Sequence, residues 1–342
     1  MKSKRIACLI LLLATMLTAG AQELAWSVDM SGFFDNREYS YDKVRSQTIF
    51  GTRLSPEIGI EIDNSRIMAG ASWVQPIDGC TNNAKIHPTV YYRYDTPRLK
   101  MSLGMFPRTQ LLETPLAIMQ YDSLTYFRPN LAGALFQYVA PKGYAETYID
   151  WRQVQTKETR EAFLIAFNGR WQPHTNFFAG ANLMMNHLAL TRTINDKNTV
   201  TDDLIVSPYI GLDLSSNTPL STLTLKVGYH LSLERLRNIG TWHRPQGLLI
   251  DLLAEWRFLG MRNTFYTGDA QMPFYPLLGP ELNQGDPFYQ SSTYNRTDIY
   301  AYLFRNNYLN CYVSCNFHYT PGNFDMQQQL ILRFFINDKY KN

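Results

Sequence analysis

The chain runs to 342 residues, with 32 Lys+Arg against 29 Asp+Glu, 14% aromatic and only 18% charged residues. The basic excess sits at the N-terminus, so it does not argue for nucleic acid or anionic lipid as a partner of the folded protein. Lys2, Lys4 and Arg5 precede an apolar run from Ile6 to Thr18, and Ala19-Gly20-Ala21 supplies small residues ahead of Gln22.

That order predicts a cleaved secretory signal peptide at 1–21, too short and wrongly flanked to remain as a membrane helix. A lipoprotein signal would carry a cysteine at the end of its apolar run, whereas Cys8 lies near the start. Removing 21 of the 342 residues leaves 321, and losing three basic residues lowers Lys+Arg from 32 to 29, level with the acids. The mature chain, 22–342, is therefore expected to be near neutral. No apolar run of about 18 residues follows the signal, which excludes spanning helices. No linker, charge block or low-complexity stretch divides the chain, so one domain is expected. Residues four apart on a strand have Cα atoms about 13 Å apart, beyond the roughly 7 Å limit of a disulfide. Cys311 and Cys315 are thus not expected to pair, and with Cys80 they form no expected structural bridge.

The dominant pattern has period two, the mark of strands with two chemically different faces. In the first element, Leu24, Trp26, Val28 and Met30 alternate with Ala25, Ser27, Asp29 and Ser31. Further on, Leu99, Met101, Leu103 and Met105 alternate with Lys100, Ser102, Gly104 and Phe106. The clearest case sets Leu223, Leu225, Val227, Tyr229 and Leu231 against Thr224, Lys226, Gly228, His230 and Ser232. Sixteen such segments are predicted, at 23–34, 49–62, 66–75, 86–94, 99–107, 132–140, 144–152, 161–170, 176–186, 204–214, 221–232, 246–256, 261–268, 297–304, 308–318 and 326–336. Each is close to the 9–11 residues that a tilted strand needs to cross a bilayer.

Short links rich in Asn, Asp, Gly and Pro, such as Asp63-Asn64-Ser65 and Pro141-Lys142-Gly143, alternate with longer ones at 35–48, 76–85, 108–131, 153–160, 187–203, 233–245 and 269–296, and a modest one at 319–325. This rhythm predicts an all-β fold: a transmembrane, antiparallel, up-and-down β-barrel of about 16 strands with periplasmic turns and extracellular loops. An even strand number places both termini on the periplasmic side. A soluble β-sandwich would also alternate, but it rarely needs sixteen strands of this length in such a rhythm. Trp73, Tyr92, Tyr94, Trp151, Trp171 and Trp256 fall near strand ends on the outward face, as the aromatic girdles of a membrane barrel would.

In these features the chain resembles the porin superfamily of outer-membrane barrels, over the whole mature length and by architecture rather than by an exact motif. It departs in its last strand, Leu330-Ile331-Leu332-Arg333-Phe334-Phe335-Ile336, whose aromatics are followed by residues 337–342 instead of ending the chain. The resemblance implies passive diffusion of small hydrophilic solutes in the outer membrane of a Gram-negative bacterium, with outer-membrane lipid as partner, no nucleic acid, no cofactor and room for a homo-oligomer.

Sixteen strands enclose a lumen wide enough for water. By parity, Arg53, Glu57, Arg66, Arg93, Lys100, Glu146, Asp150, Arg152, Lys226, Asp251, Arg262, Asp298 and Arg333 point inward, where ionised groups need water. The long link Arg108 to Leu131 carries Leu111, Leu112, Leu116, Ile118 and Met119, apolar for an exposed loop, so it either folds into the lumen, as general porins do with the equivalent loop, or packs on the surface. Its acids Glu113 and Asp122 would face basic wall residues, Arg53 first, across a constriction. Arg66, Arg93 and Lys100 are placed nearer the lower turns. The stretch Gly285 to Asp298 reads as a structured extracellular loop, and His230, Ser232 and His318 as ordinary lumen residues. The competing class is an outer-membrane barrel enzyme, a lipid or peptide hydrolase with its site at the extracellular rim. No metal-ligand spacing or nucleotide fingerprint appears.

Overall fold

The computed structural model describes residues 22–77, 83–193 and 199–339. The expected signal peptide and Cys80 lie outside them.

Sixteen strands form the wall: β1 Glu23–Glu38, β2 Gln47–Ile62, β3 Ser65–Pro76, β4 Lys85–Asp95, β5 Leu99–Pro107, β6 Asn130–Ala140, β7 Gly143–Gln153 and β8 Ala162–His174, then β9 Phe177–Leu188, β10 Thr201–Asp213, β11 Thr222–Leu236, β12 Gln246–Trp256, β13 Leu259–Gly268, β14 Thr293–Arg305, β15 Leu309–Thr320 and β16 Asn323–Asn337. Each pairs antiparallel with its sequence neighbours, and β1 closes the ring on β16 from Ser27 opposite Asn337 to Glu38 opposite Met326. Closure leaves no strand edge, the condition for a sheet in a medium that offers no hydrogen bonds. Among the described residues no helix is long and apolar enough to cross a membrane.

The predicted strands are all present, but several extend further at the loop end. β1 continues to Glu38 and β14 begins at Thr293, well above the expected 34 and 297. The alternation of links needs two corrections. Residues 214–221 make a longer connection with a single 3-10 turn at Ser215–Asn217. At the other end β15 and β16 are joined by Pro321-Gly322 alone, where Gly322 takes φ +88°, a conformation that side chains resist.

Polarity is inverted relative to a water-soluble protein. Ile58, Ile67, Leu103, Ile210 and Phe324 are exposed on the outer face, Leu103 at mid-strand to 63%. Inward positions are polar and covered: Ser72, Thr89, Asn168, Asn182, Asn186, Ser207, Asn316 and Gln327 are all buried. Such a surface requires an apolar surrounding medium, since scattered exposed apolar residues are ordinary but a continuous belt is not. Trp73, Trp151, Trp171 and Trp256 lie on that outer face, as expected from parity. Inside, aromatic rings lie over glycines of the next strand. Tyr209 covers Gly180, and Phe178 covers Gly211, so that a Cβ on Gly180 would come within 2.4 Å of the Tyr209 hydroxyl. Those rings take up the space that a wide barrel leaves at the wall.

Leu103→Arg, which puts a charge at mid-height on the outer face, should cost about 2–4 kcal/mol of folding free energy in lipid vesicles. Denaturant titration of vesicle-folded protein measures it; an unchanged midpoint would mean that this face does not meet hydrocarbon.

Candidate functional site

Two loops enter the lumen. The first, 108–129, is held at its base by a buried ion pair between the Arg108 guanidinium and Asp150 of β7. Arg108 Nε also donates to the Arg128 carbonyl at 2.8 Å, tying the loop's two ends together. Leu112 N–H donates to Glu146 Oε2 at 2.7 Å, and the Gln137 amide donates to the Gln110 carbonyl at 2.7 Å. Beyond these anchors Ile118, Met119 and Leu124 are buried, and the Tyr126 ring stacks on Phe33 of β1 with centroids 4.5 Å apart. Each such apolar side chain contributes about 1.5–3 kcal/mol on burial.

The second loop, 269–292, was expected to lie outside. It instead packs inward on Met272, Leu282, Phe288 and Tyr289, all nearly inaccessible. Phe288 stacks with His318 at 4.6 Å, with Tyr294 at 5.0 Å and with Tyr41 at 5.7 Å between ring centroids. The two loops hold each other: Tyr121 N–H donates to the Gln284 carbonyl at 2.7 Å, and Asp286 N–H to the Ala117 carbonyl at 2.8 Å. The lumen is therefore largely filled with protein, against the expectation of a broad aqueous bore.

Among the described residues, two openings, the vestibules of the lumen, meet at the first loop's tip. One, of about 830 Å³, faces the loop end and is lined in part by Arg37, Lys43, Arg45, Lys85 and Asp286. The other, of about 630 Å³, faces the turn end between loop 108–129 and β12–β16, with Glu255, Arg262, Asp298, Tyr300 and Tyr312 among its walls. Tyr121, Asp122 and Arg296 line both. At this junction Asp122 on the loop tip pairs with Arg296 of β14 at 3.3 Å and with Arg37 of β1 at 3.2 Å. Arg296 is further tied to Asp298, and Arg37 to Asp35, each at 2.7 Å. Desolvation pushes the Asp122 carboxyl up, but Arg296 and then Arg37 outweigh it and hold the group down at about 2. The nearby Asp286 behaves oppositely: burial, aided by the charge of Asp122, pushes it up to about 6.

The expected partner of Asp122, Arg53, does not reach it. Arg53 lies at 3.6 Å from Asp29 and donates to Ser31 Oγ at 2.9 Å and to the Thr125 carbonyl at 3.3 Å. Sequence reading passed over Arg37 and Arg296 because both sit on strand ends that it assigned to loops. Glu113 is not at the junction; its charge acts on Tyr144, Tyr209 and Lys226. Lys226 lies 5.0 Å from the Tyr209 ring centroid. Glu146 and Asp150 point inward as predicted but anchor the first loop rather than face water. Near the turns, Arg66 pairs with Glu61 and Asp338, while Arg93 and Lys100 converge on Asp95. Asp251 pairs with Arg262 at 2.8 Å, and Arg333 with Asp29 at 2.7 Å. Arg262 is the one of these placed on a vestibule wall. Arg152 donates to the carbonyl of Leu282 in the second loop.

A serine stands beside a histidine at Ser232 and His230, Oγ to Nε2 3.4 Å, but both are sealed under the loops and Ser232 donates to Gln271 Oε1 at 2.9 Å. Among the described residues no three His, Cys, Asp or Glu side chains gather as a metal centre.

A closed sixteen-strand barrel with inverted polarity and loops folded into its lumen is a membrane barrel of the porin type in fold. The chain belongs to the lipid A 3'-O-deacylase-type family, whose model matches residues 16–337. Among solved structures it is similar to Pseudomonas aeruginosa OccK9 (OpdG), at TM-score 0.54 and 8% identity, covering 92% of this chain and 98% of that one. It is also similar to OpdL of the same organism, at TM-score 0.53 and 10% identity, covering 92% and 99%. The outer membrane protein opdK from Pseudomonas aeruginosa gives TM-score 0.50 and 9% identity over 92% and 99%. No curated protein sequence matches the chain.

Asp150→Asn leaves the Arg108 guanidinium buried without a counter-charge, which costs about 3–5 kcal/mol. The expected result is new protease cleavage within 108–129 of the folded, detergent-solubilised protein. Continued protection would mean that this ion pair does not hold the loop.

Proposed function

We propose that the protein is an outer-membrane channel for passive diffusion of small hydrophilic solutes, narrowed where the Asp122 loop tip meets Arg37 and Arg296. The observation that carries this reading is the pair of vestibules, open to opposite ends of the barrel and sharing Tyr121, Asp122 and Arg296 as a common wall. A conduit pinched at one ionic contact needs no cofactor and no turnover; it discriminates by charge and size. The outward apolar face is suited to outer-membrane lipid, with turns and both termini towards the periplasm and the long loops outside.

The loop-end vestibule favours anions. The excess rests on Arg45 and Lys85, because Arg37 and Arg296 are balanced by Asp35, Asp122 and Asp298 and Lys43 pairs with Asp42, which leaves Asp286 as the acid facing them. Asp286 then sets the pH dependence. Its pKa in the fold, about 6, is raised above the ordinary 3.8. Below about 6 it is neutral and the vestibule is most positive; as pH rises through 6 it gains a negative charge and anion preference falls. The same sign applies to stability: the contribution is complete below pH 3.8 and is lost as pH rises through about 6.

Planar-bilayer recordings test the channel. Reversal potentials under a KCl gradient should show stronger anion preference at pH 5 than at pH 7.5, and Asp286→Asn should keep the acidic value at both. Asp122→Asn should raise conductance by freeing the loop tip. A protein that inserts but carries no current, wild type and Asp122→Asn alike, would overturn the reading.

Family membership supports a second reading, an ester hydrolase acting on lipid A. Mass spectrometry of lipid A from cells expressing the chain separates the two: loss of an acyl chain in wild type would establish hydrolysis, whatever the conductance.

A further inference from the structure

Three tyrosines on the wall of the turn-end vestibule take no part in the junction. Tyr300 and Tyr302 of β14 and Tyr312 of β15 point inward and are half-buried, whereas inward rings such as Tyr91, Tyr148 and Tyr266 are buried. The three meet edge-to-face, with ring centroids 5.6 to 6.4 Å apart. Tyr300 lies over Gly260 of β13, where a Cβ would come within 2.2 Å of the ring. Glycine at that place lets the ring lie against the wall, so its other face is turned to the lumen. The Tyr300 and Tyr302 hydroxyls both donate to Glu255 Oε1, at 3.0 and 3.4 Å. Their protons are thereby engaged, and what each hydroxyl still offers is acceptor capacity.

Next to these rings, Asp298 of β14 stands directly opposite Arg262 of β13. The two do not pair with each other. Asp298 Oδ1 accepts from Arg296 Nε at 2.7 Å, while Arg262 turns Nε and Nη2 to Asp251 at 2.9 and 2.8 Å. Arg262 Nη1 and Asp298 Oδ2 are left without a partner among the described residues. Every charge on this wall is nevertheless balanced within the protein: Asp298 by Arg296, Asp251 by Arg262, and Glu255 by Arg305. The wall therefore offers an open ring face, an N–H donor and several acceptors, but no net charge. A carboxylate ligand only accepts and an ammonium only donates, whereas a hydroxyl does both. Neighbouring hydroxyls on a ring with an apolar C–H face are the chemistry of a sugar.

We propose that the β13–β15 wall of this vestibule binds a neutral saccharide, with its C–H face on Tyr300, edged by Tyr312, and neighbouring hydroxyls on Arg262 and Asp298. Aromatic surface supplies the contact area, and the few polar groups fix the orientation. Arg296 ties the site to the narrowing, because it holds both Asp298 and Asp122. A sugar seated here thus lies beside the narrowest part of the lumen and obstructs it while it stays. This names a solute class for the channel and rests on that reading for passage, although binding itself does not require it.

Maltose is the probe, and the whole mature protein is kept in a detergent without a sugar headgroup. In planar bilayers, maltose added on the turn-end side should reduce the current saturably, beyond the loss that an equally viscous glycerol solution gives. Isothermal titration of the solubilised protein should show one site. Tyr300→Ala with Tyr312→Ala should weaken that site about tenfold, and Tyr300→Phe with Tyr312→Phe far less. Saturation-transfer NMR on wild type, irradiating aromatic protons, should mark the sugar's C–H protons and needs no variant. A current that maltose leaves unchanged, together with no binding heat, would overturn the saccharide site and spare the channel. Binding heat without any current would do the reverse. Undiminished affinity in the alanine pair would also overturn the site.

Discussion

Backbone pairing is the constraint from which the rest of this structure follows. An outer surface of Ile58, Ile67, Leu103 and Ile210 puts the sheet in a medium that cannot hydrogen-bond. Every strand must then find partners on both sides, and only the β1–β16 pairing completes that requirement. Closure with sixteen strands in turn creates a wide interior. The protein fills most of it, using two loops as a second, enclosed core. Ile118, Met119 and Phe288 of the loops cluster there with wall residues such as Leu135, Leu164 and Ile205, and Leu282 with Ala162 and Leu188.

Filling an interior whose wall is polar poses its own difficulty, because every charged wall residue left under a loop loses its water. The molecule meets it by pairing. Asp150 takes Arg108; Glu146 accepts from Leu112, Gln137 and Asn168. These inward acids thereby become attachment points, and the loops' positions are set by where wall charge demands a partner. Breaking such a pair is costlier than never having had it, since the remaining charge stays buried. Where loops stop short of the wall, along β12–β16, charged groups such as Arg262, with its side chain 46% exposed, keep their water, and there the vestibule lies.

The sixteen strands were legible because lipid and lumen impose opposite chemistry on alternate residues. That signal ends where the strand leaves the hydrocarbon. Above Phe34, the outward residues of β1 are Asn36 and Glu38; at the top of β14 they are Asn295 and Thr297. Both faces are polar there, so period two vanishes and the segment reads as loop, although the ladder continues. Arg37 and Arg296 sit on those projecting ends, which is why the partners of Asp122 escaped notice while Asp122 itself did not. The inward folding of 108–129 could be inferred from its apolar content. The same signal is present in 269–292, which carries Met272, Phe274, Leu277, Leu278, Leu282 and Phe288, but it lies among Pro and Gly, where it reads as an external loop.

The junction inherits its character from this arrangement. Asp122 is carried by a loop anchored at its base, while Arg37 and Arg296 are fixed on a closed wall and held in place by Asp35 and Asp298. The arginines therefore cannot follow the acid if the tip moves, and any opening must separate charges rather than carry them together. Separation is favoured by whatever replaces the carboxylate, and an incoming anion does so at both guanidiniums at once. A cation has no such purchase, since Asp122 is engaged and Asp35 is covered. In the channel proposed above, charge preference and the ease of opening are two consequences of one contact, in which two wall guanidiniums hold one loop carboxylate.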